Sequence, residues 1–120
     1  MKRLFVTAAI GAAVSMFGAP AFAHAFLDRA SPGVGSEVPA SPPALALTYT
    51  EAVEPLFSHV TVSDPKGASV ISGAATIRDD GRTLVIPLKA LPPGTYQVEW
   101  HVTSVDTHKT EGHFVFSVKP

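Results

Sequence analysis

The sequence predicts an all-β protein, an immunoglobulin-like Greek-key β-sandwich or barrel of about seven strands. Beyond residue 23 the apolar residues recur with a period of two rather than with a helical period, and turn-forming residues separate the short runs. In addition, Tyr96 follows directly on the segment 91–95, Leu-Pro-Pro-Gly-Thr, which is typical of the tyrosine corner of such sandwiches. No internal repeat, linker or second domain is evident, so we expect one domain over residues 24–120.

The first half of this domain alternates between turn-rich stretches and short strands. Residues 25–27 are a short apolar run, and the proline- and glycine-rich stretch 31–43 predicts an irregular or edge segment. Apolar residues alternate over 45–49, which predicts a half-buried strand. Residues 57–63 predict the next strand, with His59 on its outer side.

The second half shows the clearest strand patterns. Residues 70–77 predict weaker strands, and Asp-Asp-Gly at 79–81 is typical of a hairpin turn. Alternation over 84–88 predicts the strand that follows it. Alternation also marks two long arms, residues 96–102 and 114–118, so each arm is expected to bury one face.

A polar loop at the tip of these two arms carries Asp106 and His108. In an extended segment, residues two apart project to the same side, so this carboxylate and imidazole are expected side by side. If the hairpin is centred on Thr107, His101 and His113 face each other on its outer surface, where they could hold an adventitious ion. Two ligands bind a metal ion weakly, so further ligands must come from another part of the chain.

The first 23 residues predict a secretory signal peptide. Lys2 and Arg3 form a charged start, residues 4–17 an apolar region, and Ala21-Phe22-Ala23 a cleavage site. The apolar run is too short to span a bilayer. We therefore expect a periplasmic protein that begins at His24 and is not inserted in the membrane.

The composition of the mature chain limits its partners. Without Lys2 and Arg3, the nine basic residues become seven against ten acidic ones, a net charge of about −3. This balance argues against nucleic acid or an anionic membrane as a partner. The chain has no cysteine, and both methionines, Met1 and Met16, belong to the signal peptide. Any metal ion must therefore be held by nitrogen and oxygen, and we expect a monomer.

A mature N-terminal His24 could supply two of the missing ligands, its α-amine and its imidazole. With Asp106 and His108 the set becomes three nitrogens and one oxygen, which favours tetragonal Cu(II). The α-amine, with a pKa of about 7.7–8.0, must lose its proton to bind, so affinity should fall on acidification. Without His24, an aspartate that caps the turn would be the simpler interpretation of Asp106.

The sequence also resembles the CopC family of periplasmic copper-binding proteins over essentially the whole mature chain. The resemblance rests on these stretches: His24-Ala25-Phe26-Leu27, Ser31-Pro32, Gly35-Ser36, Leu91-Pro92-Pro93-Gly94-Thr95-Tyr96, Trp100, Ser104, Asp106-Thr107-His108 and Gly112. It implies that His24, Asp106 and His108 bind Cu(II), that Glu51 lies near the site, and that a CopD-type inner-membrane copper transport protein is a possible partner.

The chain departs from some members of that family in one respect. Those members carry a methionine-rich loop as a separate Cu(I) site, in the region that corresponds to residues 63–75. Here the segment has neither methionine nor histidine. Because soft Cu(I) prefers sulfur ligands, we expect no specific Cu(I) site. We interpret His59 as a solvated face residue, and favour the same interpretation for His101 and His113.

These observations leave three functional hypotheses. The first is a non-enzymatic carrier or buffer of Cu(II) in copper resistance or homeostasis. The second is a small copper oxygenase with an N-terminal histidine, as in the lytic polysaccharide monooxygenases. Against it, a mature chain of 97 residues, 24–120, leaves little room for a substrate face, and a carboxylate ligand would stabilise Cu(II) against reduction. The third is a metal-free structural β-sandwich.

Overall fold

The structure is a computed structural model that describes residues 25–120; the predicted signal peptide and His24 lie outside these residues. The described part contains eight β-strands, one short 3-10 helix and no α-helix, which confirms the predicted all-β class. In chain order the strands are β1 Leu27–Ser31, β2 Glu37–Val38, β3 Ala44–Tyr49, β4 His59–Ser63, β5 Thr76–Arg78, β6 Thr83–Pro87, β7 Gly94–Thr103 and β8 Lys109–Val118. None of its segments is a helix long and apolar enough to cross a membrane.

The strands form two four-stranded sheets packed face to face. One sheet has the order β1-β3-β6-β5 and the other the order β2-β8-β7-β4. All pairs are antiparallel except the two-residue edge strand β2, which runs parallel to β8. The inward side chains of both sheets make one core, whose largest members include Tyr49, Tyr96, Trp100 and Phe116. This arrangement is the predicted sandwich.

A contact between two aromatic rings joins the two sheets, and a tyrosine hydrogen bond fixes the corner before β7. The rings of Tyr49 on β3 and Trp100 on β7 meet edge to face, with centroids 5.2 Å apart. Tyr96 donates its hydroxyl hydrogen to the carbonyl of Pro92 at 2.5 Å, which is the predicted tyrosine corner. Burial raises the pKa of both tyrosine hydroxyls. These contacts fix β7, the strand that leads to the polar loop.

Some predicted strands have different bounds in the structure. The strand predicted over 57–63 begins only at His59, because Pro55–Phe57 forms a 3-10 turn that the Ser58 hydroxyl closes onto the carbonyl of Glu54 at 2.7 Å. The weak strands predicted over 70–77 reduce to an isolated bridge at Ile71 and the exposed strand β5. These segments bury few side chains, so little packing energy extends them.

Candidate metal centre

The polar loop, residues 104–108, is a closed turn between β7 and β8. The amide of Ser104 donates to the carbonyl of His108 at 2.8 Å, and the amide of Thr107 donates to the carbonyl of Ser104 at 2.8 Å. Thr107 takes a positive φ of 74°, which turns the chain back toward β8. The loop therefore projects from the end of the sandwich in a defined conformation.

Ser104 is the buried base of this loop, with 1% of its surface exposed. Its hydroxyl donates a short hydrogen bond to the carboxylate of Asp106 and accepts the amide hydrogen of His108 at 3.2 Å. The hydrogen bond from Ser104, together with hydrogen bonding and charge from His108, lowers the pKa of Asp106 below its ordinary value of 3.8. One serine thus orients the carboxylate and keeps it ionised.

The structure brings Asp106 and His108 together, as the sequence predicted. The Nδ1 atom of His108 lies 3.3 Å from an Oδ1 atom of Asp106, and both side chains are about two-fifths exposed, 41% and 43% respectively. Imidazole nitrogen and carboxylate oxygen suit borderline divalent ions such as Cu(II). This pair therefore offers two suitable ligand types at the end of the molecule, and its assignment as a metal site stays a prediction.

The segment after β3 supports the loop from the side. Val53 forms an isolated bridge with Ser104, and the amide of Val105 donates to the carbonyl of Ala52 at 3.1 Å. Glu51 is half-buried one residue before Ala52, so it belongs to this supporting segment. Its role beside the metal site stays a prediction.

The described chain begins beside the same hairpin. Ala25 is fully buried, and its carbonyl accepts a hydrogen bond at 2.6 Å from the hydroxyl of Thr110, two residues beyond His108. Phe26 is held next to it by a hydrogen bond from its amide to the hydroxyl of Thr50 at 3.0 Å. The preceding residue, His24, lies outside the described residues, so its assignment as a ligand stays a prediction.

Sequence reasoning gave no role to either Ser104 or Thr110. Thr110 could have been found, because the inward period of Phe114 and Phe116 extends back through Gly112 to residue 110, where a polar side chain is unexpected. A threonine at an inward position needs a hydrogen-bond partner, and here that partner is the carbonyl of Ala25.

The condition under which His101 and His113 would face each other, a hairpin centred on Thr107, is not met. Residues Val102 and Thr103 pair with Thr110 and Lys109, so the hairpin is centred on Asp106 rather than Thr107. The two contacts that close the loop, between Ser104, Thr107 and His108, set this register.

As a result His101 and His113 do not face each other. His101 pairs with Glu111, and His113 pairs with Glu99. His59 is exposed on the outer side of β4, as expected, and its cross-strand neighbour is His101. Across residues 25–120, no three His, Asp or Glu side chains are already gathered closely enough to share a metal ion.

Comparison with known proteins places these features in a family. A profile of the CopC domain matches residues 27–119. YobA of Escherichia coli (strain K12) is 43% identical over 100 residues, which make up 82% of this chain and 81% of YobA.

Two crystal structures share the fold. CopC from Methylosinus trichosporium OB3b matches with a TM-score of 0.74 and 36% identity, over 81% of this chain and 95% of that chain. PcoC, a methionine-rich copper resistance protein from Escherichia coli, matches with a TM-score of 0.70 and 31% identity, over 81% of this chain and all of that chain, 100%. The match of the domain profile and the identity to these proteins over most of their length lead to one conclusion: this chain belongs to the CopC family.

Proposed function

We propose that this protein binds Cu(II) in the periplasm and carries or buffers it in copper resistance or homeostasis, with His24, Asp106 and His108 as ligands. The relative PcoC is a copper resistance protein, which supports a function with copper. The observation that carries the proposal is the hydrogen bond from Thr110 to the carbonyl of Ala25, which ties the start of the domain to the strand that follows His108.

The pair on the polar loop supplies half of the proposed site. Asp106 and His108 lie 3.3 Å apart and are partly exposed, so an ion can reach both without unfolding the loop. Because the hydrogen bond from Ser104 lowers the pKa of Asp106, the carboxylate is ionised well into the acidic range. The loop therefore offers a negatively charged oxygen and an aromatic nitrogen to the ion.

The N-terminus supplies the other half. Consecutive Cα atoms are about 3.8 Å apart, and Ala25, the residue that follows the proposed ligand, is held against Thr110. After cleavage behind Ala23, His24 would offer its α-amine and imidazole as a chelating pair. The two hydrogen bonds that fix Ala25 and Phe26 reduce the freedom that a terminal ligand would otherwise lose on binding.

The ligand types favour Cu(II) over Cu(I). Met1 and Met16 are the only sulfur-containing residues, and both belong to the predicted signal peptide. The relative PcoC, in contrast, is described as methionine-rich. Nitrogen and oxygen ligands suit Cu(II), whereas Cu(I) prefers sulfur. We therefore propose that no Cu(I) site accompanies the Cu(II) site, and that Glu51 acts only indirectly from the supporting segment.

A carrier accounts for the site better than an oxygenase. The Asp106 carboxylate next to His108 stabilises Cu(II) against the reduction that oxygen activation requires. We expect the copper-loaded protein to form peroxide from ascorbate and oxygen no faster than free copper does. A monomer that delivers copper to a CopD-type inner-membrane protein fits this role.

The decisive experiment changes the N-terminus alone. One residue added before His24 converts the α-amine into an amide and leaves every side chain of residues 25–120 in place. We expect the Cu(II) affinity, measured by competition with a chelator, to fall at least about a hundredfold, which is roughly 2.7 kcal/mol. His108→Ala should also weaken binding.

His59→Ala is the matched control, because His59 is an exposed histidine on β4 away from the polar loop. Its affinity should equal that of the unaltered protein. Equal Cu(II) affinity in the extended and the mature proteins would contradict the assignment of His24. For the mature protein, affinity should also decrease as the pH falls below the range in which an α-amine titrates, about 7.7–8.0.

A further inference from the structure

The outer face of the β7–β8 hairpin carries four ionisable side chains in a compact block. Glu99 and His101 lie on β7, and Glu111 and His113 lie on β8. The register sets His101 opposite Glu111 and Glu99 opposite His113, and all four residues are exposed. We call these four residues the outer block. Each histidine therefore has a glutamate across the strand and another two residues away along it.

The spacing of the outer block suits a shared ion. Directly opposed residues have Cβ atoms about 4.5–5.5 Å apart, and diagonal neighbours about 7–8 Å. The block surrounds a shallow, open cleft of about 430 Å³, which Gly112 also lines. An imidazole nitrogen from each of two diagonal corners can therefore approach one point above the centre of the block.

One contact already prepares a ligand. The Nδ1 atom of His101 lies 3.1 Å from a carboxylate oxygen of Glu111. If the neutral imidazole carries its hydrogen on this Nδ1, the lone pair is on Nε2 and is available to an ion. Histidines that bind metal ions commonly hold the second ring nitrogen in this way against a carboxylate.

We propose that the outer block is a second binding site for a divalent transition-metal ion such as Cu(II), separate from the polar loop. His101 and His113 contribute imidazole nitrogens and Glu99 a carboxylate, while Glu111 orients His101. Two carboxylates beside two neutral imidazoles balance the charge of a divalent ion. This proposal does not rest on the N-terminal site, since none of its four residues takes part in that site.

The backbone beneath the block is closely packed, but the four side chains of the block do not yet converge on one point. Trp100 and Gly112 form the inward pair directly below, and a Cβ built on Gly112 would lie 2.5 Å from the indole of Trp100. No three suitable side chains within residues 25–120 are already close enough to bind an ion. The exposed side chains must therefore rotate to close the site, so we expect weaker binding than at the polar loop.

His59 tests the geometry of this site. It lies on β4, next to His101 but on the side away from β8. Two strand spacings of about 4.7–4.9 Å separate β4 from β8, so His59 and His113 cannot readily share one ion. His59→Ala consequently removes an exposed histidine from the same face while all four residues of the outer block stay in place.

The experiment counts Cu(II) ions bound per processed chain, by equilibrium dialysis at neutral pH in a buffer that does not bind copper. We expect two ions for the unaltered protein and for His59→Ala. We expect one ion for the double variant His101→Ala/His113→Ala, and one for Asp106→Ala/His108→Ala. The ion retained by the last variant should perturb the NMR signals of His101 and His113.

The outcomes separate this proposal from the proposed function. One ion per chain, retained by His101→Ala/His113→Ala, would overturn the second site and leave the first. Loss of the second ion in His59→Ala would also overturn the outer block. If the unaltered protein binds one ion and only His101→Ala/His113→Ala abolishes this binding, the result would support the outer block and contradict the polar-loop site. If the double variant does not fold, Glu99→Gln should weaken the second ion at least tenfold, and an unchanged affinity would overturn the proposal.

Discussion

Ser104 controls the charge at the candidate metal centre, although it is not itself a proposed ligand. It is buried, it donates to the carboxylate of Asp106, and its backbone closes the polar loop onto His108. The depressed pKa of Asp106 has this hydrogen bond as its largest cause. Ser104, which is not a proposed copper ligand, thus favours the ionised form of Asp106, which is one.

Replacing Ser104 by alanine should raise the pKa of Asp106 in the metal-free protein. The ionised carboxylate contributes stability above its unfolded pKa, and this contribution is lost as the pH falls through the lower folded value. In Ser104→Ala this contribution should therefore be smaller, and its loss should be complete at a higher pH. Titration of the Asp106 carboxyl carbon by NMR measures the change.

Ser117→Ala is the control for this titration. Its hydroxyl is hydrogen-bonded to that of Thr95 at 3.0 Å, at the far end of the same hairpin. The Asp106 titration should be unchanged in this variant. An Asp106 pKa that is the same in Ser104→Ala as in the unaltered protein would show that the serine does not control it.

At the scale of the elements, β7 and β8 form the hairpin that carries both proposed sites. On the inward face of this hairpin, Gly112 of β8 lies against the indole of Trp100 on β7. A Cβ on residue 112 would lie 2.5 Å from one ring carbon of Trp100 and 2.8 Å from another, much closer than van der Waals contact. Trp100 has only 6% of its surface exposed, so it has little room to move.

Gly112→Ala should therefore destabilise the protein by about 1–3 kcal/mol, the usual cost of overpacking a core. Urea unfolding followed by circular dichroism measures the loss. Gly33→Ala is the matched control, since a Cβ there would meet its nearest neighbour, the Ala30 carbonyl, at an ordinary 3.7 Å. A Gly112→Ala variant as stable as Gly33→Ala would mean that the Trp100 ring moves aside at little cost.

Periodicity predicted the long strands because one face of each is buried, so apolar and polar residues alternate along them in the sequence. It could not predict β1, Leu27–Ser31, whose residues alternate poorly and whose strand depends on pairing with β3. Nor could it fix the centre of the β7–β8 hairpin. The register depends on hydrogen bonds inside the polar loop, and no periodicity of the arms encodes them.

The candidate site was predictable in part for the same reason. Asp106 and His108 are two residues apart, so they were expected close together. The structure brings them together in a closed turn with a positive φ at Thr107, rather than in the extended segment that the prediction assumed. The contact of Thr110 with Ala25 spans 85 positions of the chain and follows only from the packing of the sandwich. The neighbours of His101 and His113 likewise depend on the register. The sequence therefore suggested an ion between these two histidines but not the part that Glu99 and Glu111 take in the outer block.

At the scale of the whole molecule, the sandwich encloses its tryptophan and both tyrosines while both proposed copper sites lie on its surface. Trp100, Tyr49 and Tyr96 are 6%, 0% and 2% exposed. Residues 25–120 contain no cysteine or methionine, the side chains that oxidise most readily. Burial also raises the pKa of Tyr49 above its ordinary value, which suppresses the easily oxidised phenolate.

This separation should protect the protein from oxidative damage by a bound copper ion. When copper cycles with ascorbate and peroxide, the first added oxygen atoms should appear on exposed histidines, above all His108, and not on Trp100. Peptide mass spectrometry of the briefly treated protein locates them, with urea-unfolded protein as the control in which Trp100 becomes reactive. Early oxidation of Trp100 in the folded protein would contradict this. If the oxidation stays on the histidines, the tightly packed core shields Trp100 from radicals as well as stabilising the fold.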